Sequence, residues 1–349
     1  MAITTGNIPI IGEAPIFLAT LERVSRAAAV PKPVLVIGER GTGKELIAAR
    51  LHYLSPRWDQ PLVKLNCSAL TETLLESELF GHEAGAFTGA TKRHVGRFER
   101  ADQGTLILDE LGTIPPRMQE KLLRVIEYGE FERVGGDETI TVDVRIVGAS
   151  NEDLPAKARR GEFRADLLDR LAFDVITVPP LRARASDILV LAQHFAVNVT
   201  AELGRAFFPG FSDYVVQSML GYAWPGNVRE LKNAIERSVY RADDPEAELD
   251  ELIIDPFHSP HAPVDMYEIP AEELAPAPAT APPAQRPAAV PCDLKEEVAA
   301  LETHLLREAM HAAQHHQKNA SLLLALNYHQ FRNLARKHGL SDEFRRRVD

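Results

Sequence analysis

Four short runs of apolar, β-branched residues punctuate the first half of the chain: PVLVIG (33–38), LVKLN (62–66), TLILDE (105–110) and VDVRIVGASN (142–151). Stretches with apolar residues at helical spacing lie between them, among them KELIAARLHYL (44–54) and QEKLLRVIEYG (119–129). Apolar strands separated by helices predict an α/β domain whose parallel sheet is covered on both faces. After Pro180 the strand pattern stops. DILVLAQHFAVNVTAEL (187–203), DYVVQSMLGY (213–222) and VRELKNAIERSVYR (228–241) are amphipathic at helical spacing, so a helical subdomain is expected to close the block near Phe257.

Prolines recur from 258 to 291 and apolar periodicity is absent there. Proline removes backbone donors and disfavours helix in the residue before it, so 258–292 reads as a linker. Beyond it the pattern predicts a helix over about 294–314 and a helical pair over about 319–324 and 328–338. A turn at Ala325-Leu326-Asn327 joins the pair, with Asn327 as the expected N-cap of the last helix.

The chain has 349 residues, 45% hydrophobic and 26% charged, which fits a globular protein of roughly two domains. No apolar run is long enough to span a bilayer, and the N-terminus lacks a basic start followed by an apolar core. Two cysteines, Cys67 and Cys292, do not make a disulfide framework and fit a reducing cytoplasm. The net charge of -11 argues against nucleic-acid binding by the whole chain. Charge is uneven, however: between Tyr328 and Arg347, Lys and Arg at 332, 336, 337, 345, 346 and 347 outweigh acids at 342 and 343. That imbalance points to a separate basic tail module.

Candidate chemistry starts at Gly38-Glu39-Arg40-Gly41-Thr42-Gly43-Lys44, which follows an apolar strand and precedes a helix. Glycines there let backbone N–H groups turn inward around phosphate oxygens, and the helix adds its positive end. Lys44 would supply a point charge to the β- and γ-phosphates of ATP. A Ser or Thr usually follows that lysine and helps hold magnesium; here it is Glu45. Mg2+ must then lean on the phosphates, on water and on a second acidic motif. The strand Leu106-Ile107-Leu108 delivers that motif, Asp109 and Glu110, where open α/β sheets place ligands. Asp109 would hold magnesium and Glu110 would polarise the attacking water.

Positive charge is also needed on the transferring phosphoryl group. Arg164 and Arg170 lie in FRADLLDRL; they are candidates, or else a solvated helix face partnered by Asp166 and Asp169. In WPGNVREL a tight turn opens a helix carrying Arg229 in its first turns. A cation is poorly placed there for the helix dipole, so an external anion would explain it. The run Gly81 to Ala90 interrupts helical sequence with residues too small to pack a core. Phe87 then sits on a mobile loop with nothing local to cover it and seeks a partner, unless it is buried beneath a surface turn.

The segments GERGTGKE, ELFGHEAGAFTGA, GTLILDE, FRADLLDRL and WPGNVREL, in this order and spacing, resemble the AAA+ domain of bacterial enhancer-binding proteins, the activators of sigma-54 RNA polymerase. The resemblance runs from about Ile8 to Phe257 and continues into a Fis-type helix-turn-helix tail. YHQFRNLARKHG (328–339) resembles the branch serving phage-shock and membrane-stress promoters. The implied fold is an AAA+ P-loop NTPase with parallel sheet and helical lid, plus a C-terminal all-α helix-turn-helix domain. Its divisions would be 1–257 (α/β to about 178, lid 179–257), linker 258–292 and DNA-binding domain 293–349. An N-terminal receiver domain is not expected, because the ATPase begins almost at Met1.

The resemblance also assigns roles. Glu45 is the family's usual residue after the lysine. Asn66 is similar to the switch residue that holds Glu110 until the nucleotide state changes. Asn151, preceded by Ser150, matches a sensor, and Arg229 matches the second sensor. Arg164 and Arg170 match fingers reaching a neighbouring subunit's site, which requires a hexameric ring. Gly85, Ala86, Phe87, Thr88, Gly89 and Ala90 match the sigma-54-contacting loop, and FERVGGDET (131–139) a second surface loop that moves with it. In the tail, Arg336, Lys337 and Arg345 to Arg347 are expected to meet phosphates of upstream enhancer DNA. Tyr328, His329, Gln330 and Arg332 are expected to read bases, with Asn333 a further DNA contact. Ala325 departs from the glycine common in that turn. Control is expected from a separate inhibitory protein, with Trp58 in the polar loop SPRWDQP as its contact, or else folded back on its own helix. Two rivals remain: another AAA+ remodelling machine, and a DNA-binding repressor with an inactive ATPase fold.

Overall fold

A computed structural model describes residues 10–242, 244–257, 294–313, 317–324, 326 and 328–340. The described residues form two compact units, divided between 257 and 294. The expected linker, Ala325, Asn327 and Arg345 to Arg347 lie outside the described residues, as does the side chain of His329.

In the first unit the strands are β1 (Val34–Ile37), β2 (Leu62–Asn66), β3 (Thr105–Asp109), β4 (Glu130–Glu132), β5 (Thr139–Thr141), β6 (Arg145–Ser150) and β7 (Asp174–Thr177). Five of them make a parallel sheet in the order β2-β3-β6-β1-β7, and β4 pairs with β5 in an antiparallel hairpin. Side chains alternate between the two faces, as the pleat requires. Leu35, Leu106, Leu108 and Ile146 pack on one face with Phe80, Phe98 and Leu167. Val34, Val36, Ile107 and Val147 pack on the other with Phe17, Ile47 and Leu51. Both faces being buried is why these strands read as continuous apolar runs.

Three expectations need correction. The run TLILDE ends as a strand at Asp109, and Glu110 turns away with φ 54°. β7 lies outside the strands predicted from sequence. It is a four-residue edge whose Asp174 pairs with Arg23 and of which only Ile176 is buried. FERVGGDET is not loop throughout: its ends belong to β4 and β5, and Phe131 is buried against Phe80 and Phe98.

The lid follows Val178. Helices Ser186–Glu202, Asp213–Gly221 and Asn227–Arg241 enclose Ile188, Leu191, Ala196, Leu231 and Ile235. Trp224 is fully buried among them, and its indole N–H donates to the Met219 carbonyl at 2.8 Å. In the second unit, helices Leu294–Ala312, Gln317–Leu323 and Tyr328–Lys337 surround Leu306, Met310, Ala320 and Phe331. No helix among the described residues is long and apolar enough to cross a membrane.

One buried cation closes the back of the sheet. Arg145, at the start of β6, donates to the carbonyls of Ala27 (2.7 Å), Ala28 (3.0 Å) and Lys32 (3.2 Å). The first two carbonyls end the helix Pro15–Ala28, where orphan acceptors and the negative dipole end collect. Burial pulls the guanidinium down to about 10, still charged at neutral pH. Arg145→Met keeps the apolar stem and strands these carbonyls. It is expected to cost about 2–4 kcal/mol in urea unfolding; an unchanged midpoint would contradict the assignment.

Candidate active site

The phosphate loop leaves the C-terminal end of β1, where the Gly38 N–H donates to the Ser150 carbonyl of β6 at 3.2 Å. Gly43 has φ 97° and caps the helix Lys44–Tyr53, a left-handed backbone that favours glycine. Gly41, also left-handed at φ 79°, meets a second need. A Cβ there would lie 2.2 Å from the Gly226 carbonyl, because the lid's WPGN turn rests directly on the loop.

Lys44 is buried, and its Nζ donates to the Gly38 and Glu39 carbonyls at 3.0 and 3.1 Å. Burial pulls its pKa down, partly opposed by the nearby charges of Glu110 and Asp109. Those two carboxylates therefore share the lysine's electrostatic surroundings. The charge of Arg229 is also felt at Lys44, and its N–H donates to the Gly41 carbonyl at 3.3 Å. Asp109 Oδ1 accepts the Glu110 N–H at 3.0 Å. Glu110 is one of few non-glycine residues with positive φ, a strained backbone of the kind found where function fixes geometry. Among the described residues no group of three metal-ligating side chains occurs.

The latch between lid and loop was not anticipated from sequence. Asn227, fully buried with φ 53°, donates through Nδ2 to Glu39 Oε2 (3.1 Å) and the Arg40 carbonyl (3.0 Å). Its Oδ1 accepts the Leu181 N–H at 2.8 Å. Arg182 adds a bidentate pair to Glu39, one arm at 2.7 Å. Hydrogen bonds from Arg182 and then Asn227 hold Glu39 down at about 2. Because its folded pKa is lowered, its contribution is complete above the ordinary carboxylate range. It is lost only as pH falls towards about 2, so the latch is constant near neutrality. The only sequence signal near it was the WPGN turn already notable for Arg229.

A cavity of about 110 Å³ opens beside the loop, lined by Ile10, Ile11, Phe17, Leu46, Phe195 and Val228 among others. Its apolar walls suit a flat aromatic group.

Other candidate residues sit apart from the loop. Asn66 pairs in register with Asp109, yet its Oδ1 accepts from Ser68 N and Oγ (2.9 and 2.8 Å), not from any group of Glu110. Asn151 is exposed just beyond the buried Ser150. Glu45 is paired with Lys64 at 2.9 Å. Arg164 is held by Asp166, as its local sequence suggested, whereas Arg170 pairs with Glu127 across to another helix at 2.7 Å and not with Asp169. Both arginines are exposed.

The glycine-flanked loop carries its own correction. Phe87 is half-buried, its ring edge-on to His82 at 4.9 Å, so something local does cover it. His82 in turn hydrogen-bonds Ser77 and stacks on His94. The loop shares its neck with the β4–β5 hairpin. Val134 N–H donates to the Gly81 carbonyl and Glu83 N–H to the Val134 carbonyl, both at 3.0 Å. Buried Arg133 pairs with Glu83 and Glu99. Trp58 is 64% exposed. In the tail, Lys337 pairs with Glu302, and the Arg332 guanidinium lies 5.7 Å from the Tyr328 ring centroid.

Comparison with known proteins follows the same lines. Residues 10–177 match the Sigma-54 interaction domain and residues 182–262 the AAA+ ATPase lid domain. The chain is 55% identical to the Psp operon transcriptional activator of Escherichia coli (strain K12), over 94% of this chain and 97% of that one. It is 51% identical to the Nif-specific regulatory protein of Azotobacter vinelandii, over 67% of this chain and 45% of that longer protein. The crystal structure of NtrX from Brucella abortus in complex with ATP superposes with a TM-score of 0.65 at 27% identity, over 95% of this chain and 70% of that one. A phosphate loop under a lid, an acidic strand end and a glycine-flanked loop, together with these matches, place the chain in the family of sigma-54-dependent transcriptional activators built on an AAA+ ATPase domain.

Proposed function

We propose that this chain binds upstream enhancer DNA, assembles into a hexameric ring and uses ATP hydrolysis to remodel closed complexes of the sigma-54 RNA polymerase holoenzyme in the cytoplasm. The likeness to the Psp operon activator supports phage-shock or membrane-stress promoters as its targets. ATP and ADP are bound by the similar NtrX protein, which supports a nucleotide in the loop Gly38–Lys44 here.

Lys44 exchanges its two backbone carbonyl partners for phosphate oxygens when the nucleotide enters. Glu110 polarises the attacking water from the end of β3. Asp109, with Glu110 beside it, fits Mg2+: a hard cation held by one or two carboxylates together with phosphates and water, without a dedicated protein cage. That ion supplies charge neutralisation on the transferring group. Within one protomer Lys44 and Arg229 are the cations this reading assigns to the phosphates, since Arg182 is tied to Glu39 and Arg184 to the Thr42 carbonyl. Arg164 and Arg170 stand exposed and are held by surface acids, a placement that serves a neighbouring subunit's site. Head-to-tail contacts of that kind close into rings. Asn66 and Asn151 act as nucleotide-state sensors, Asn66 leaving Ser68 for Glu110 in another state.

The observation that carries this reading is the shared neck of the Gly85–Ala90 loop and the β4–β5 hairpin. That hairpin directly follows the helix Pro116–Tyr128, which itself follows the acidic end of β3. A shift at Glu110 therefore has a short packed route to Phe87 and Thr88. In the tail, Tyr328, His329, Gln330 and Arg332 are the proposed base-reading residues, with Asn333 a further DNA contact. Arg336, Lys337 and Arg345 to Arg347 are the proposed phosphate contacts, Lys337 exchanging Glu302 for DNA.

The test is transcription in vitro from a sigma-54 promoter. Activation is expected with ATP and not with a non-hydrolysable analogue. Thr88→Ala is expected to keep ATP turnover within about twofold while transcription falls at least tenfold or so; normal activation by that variant would remove the proposed coupling. The exposed Trp58 is the proposed contact for an inhibitory protein acting in trans, since exposed aromatics often anchor partners. Trp58→Ala is expected to leave basal ATPase unchanged and weaken repression by at least about tenfold. Undiminished repression would rule that contact out.

A further inference from the structure

Two buried charges join the phosphate loop to the segment before the first helix. Arg184 and Asp187 are both almost wholly inaccessible. Asp187 Oδ1 accepts the N–H groups of Glu13 (2.6 Å) and Ala14 (2.8 Å), fastening the stretch 10–14 to the lid helix Ser186–Glu202. A Cβ on Gly12 would lie 2.7 Å from Asp187 Oδ2 and 2.5 Å from the Phe17 ring, so this strap is closely packed. Arg184 donates through one terminal nitrogen to the Thr42 carbonyl of the phosphate loop at 3.1 Å. Its guanidinium also lies 4.5 Å from the centroid of Phe17.

The pair is poorly satisfied. The nearest Arg184–Asp187 approach is 3.9 Å, beyond hydrogen-bond range. Arg184 Nε and Asp187 Oδ2 have no hydrogen-bond partner among the described residues. A buried ion pair in that state adds little to stability, because desolvation offsets the attraction. Its place in the fold points to another role.

Position supplies one. Arg184 lines the apolar cavity beside Gly43, whose walls include Ile10 and Ile11 of the strap and Phe17 beneath the guanidinium. One side chain therefore lines the cavity, lies 3.9 Å from the strap's anchor and donates to a phosphate-loop carbonyl. We propose that Arg184 is a positioning residue that couples occupation of this cavity by a purine base to the shape of the phosphate loop, with Asp187 holding the strap against the base. The proposal rests on the ATPase reading above. A base filling the cavity presses Phe17 and the strap into place and fixes the guanidinium. The Thr42 carbonyl is then held so that the N–H groups beyond it keep their aim. Binding energy from the non-reacting end of the substrate is thereby used at the reacting end.

The test compares ATP with inorganic triphosphate, which lacks a base, in steady-state hydrolysis by the full chain. Arg184→Gln is expected to lower the ratio of kcat for ATP to kcat for triphosphate by about tenfold, a typical coupling between sites. Arg184→Lys should restore part of that ratio. Asp187→Asn, close in shape, is expected to move the ratio in the same direction, and it provides the test if Arg184→Gln fails to fold. A ratio unchanged in these variants, whether both rates fall together or neither falls, overturns the coupling while leaving the ATPase reading intact. A wild-type chain that hydrolyses neither compound overturns both.

Discussion

The Gly38–Lys44 backbone is gripped from two sides. β1 and β6 hold its start, and the lid's WPGN turn rests on Gly41 so closely that a methyl group could not fit between them. Asn227, Glu39 and Arg182 complete the grip with hydrogen bonds that bridge the sheet domain and the lid. A loop that must present its N–H groups to phosphate cannot bury them in itself. Its rigidity has to come from neighbours, and here they are the lid and the sheet. Any nucleotide held by this loop therefore touches the relation between sheet and lid, the link that the proposed mechanical role requires.

The other end of that reach is built from softer contacts. Glycine-flanked Phe87 rests on one imidazole ring. An aromatic pair of that kind contributes about 1 kcal/mol, little enough for a change in nucleotide state to release. The neck below it is firmer, with backbone hydrogen bonds to the β4–β5 hairpin and a buried arginine between two glutamates. A loose tip on a firm neck suits the force-transmitting role proposed for this loop.

Much of this was legible in sequence where the determining contacts are local. The central strands declared themselves because burial on both faces leaves continuous apolar runs, and the phosphate loop because its glycines, lysine and flanking elements lie within a few residues. β7 escaped because an edge strand is half wet, and only Ile176 is buried. The hairpin escaped because Glu130 and Glu132 flank Phe131 and mimic a polar loop. Asn227 and Glu39 are 188 residues apart, so nothing local foretold their bond, although the turn around Asn227 stood out. Arg164's partner lies two residues away, where the alternative reading put it; Arg170's lies 43 away, where neither reading did. Family resemblance filled in roles for Asn66 and Asn151 that no contact in this structure would have suggested.

The central claim is that one loop fuels everything else, and Lys44→Ala tests it most directly. ATP turnover by the variant is expected to fall about a hundredfold or more, as when a positioned cation is removed from a transferring phosphoryl group. Binding to upstream DNA, proposed for the tail, should stay near the wild-type level. Turnover that survives the substitution, or DNA binding that disappears along with turnover, would contradict the account.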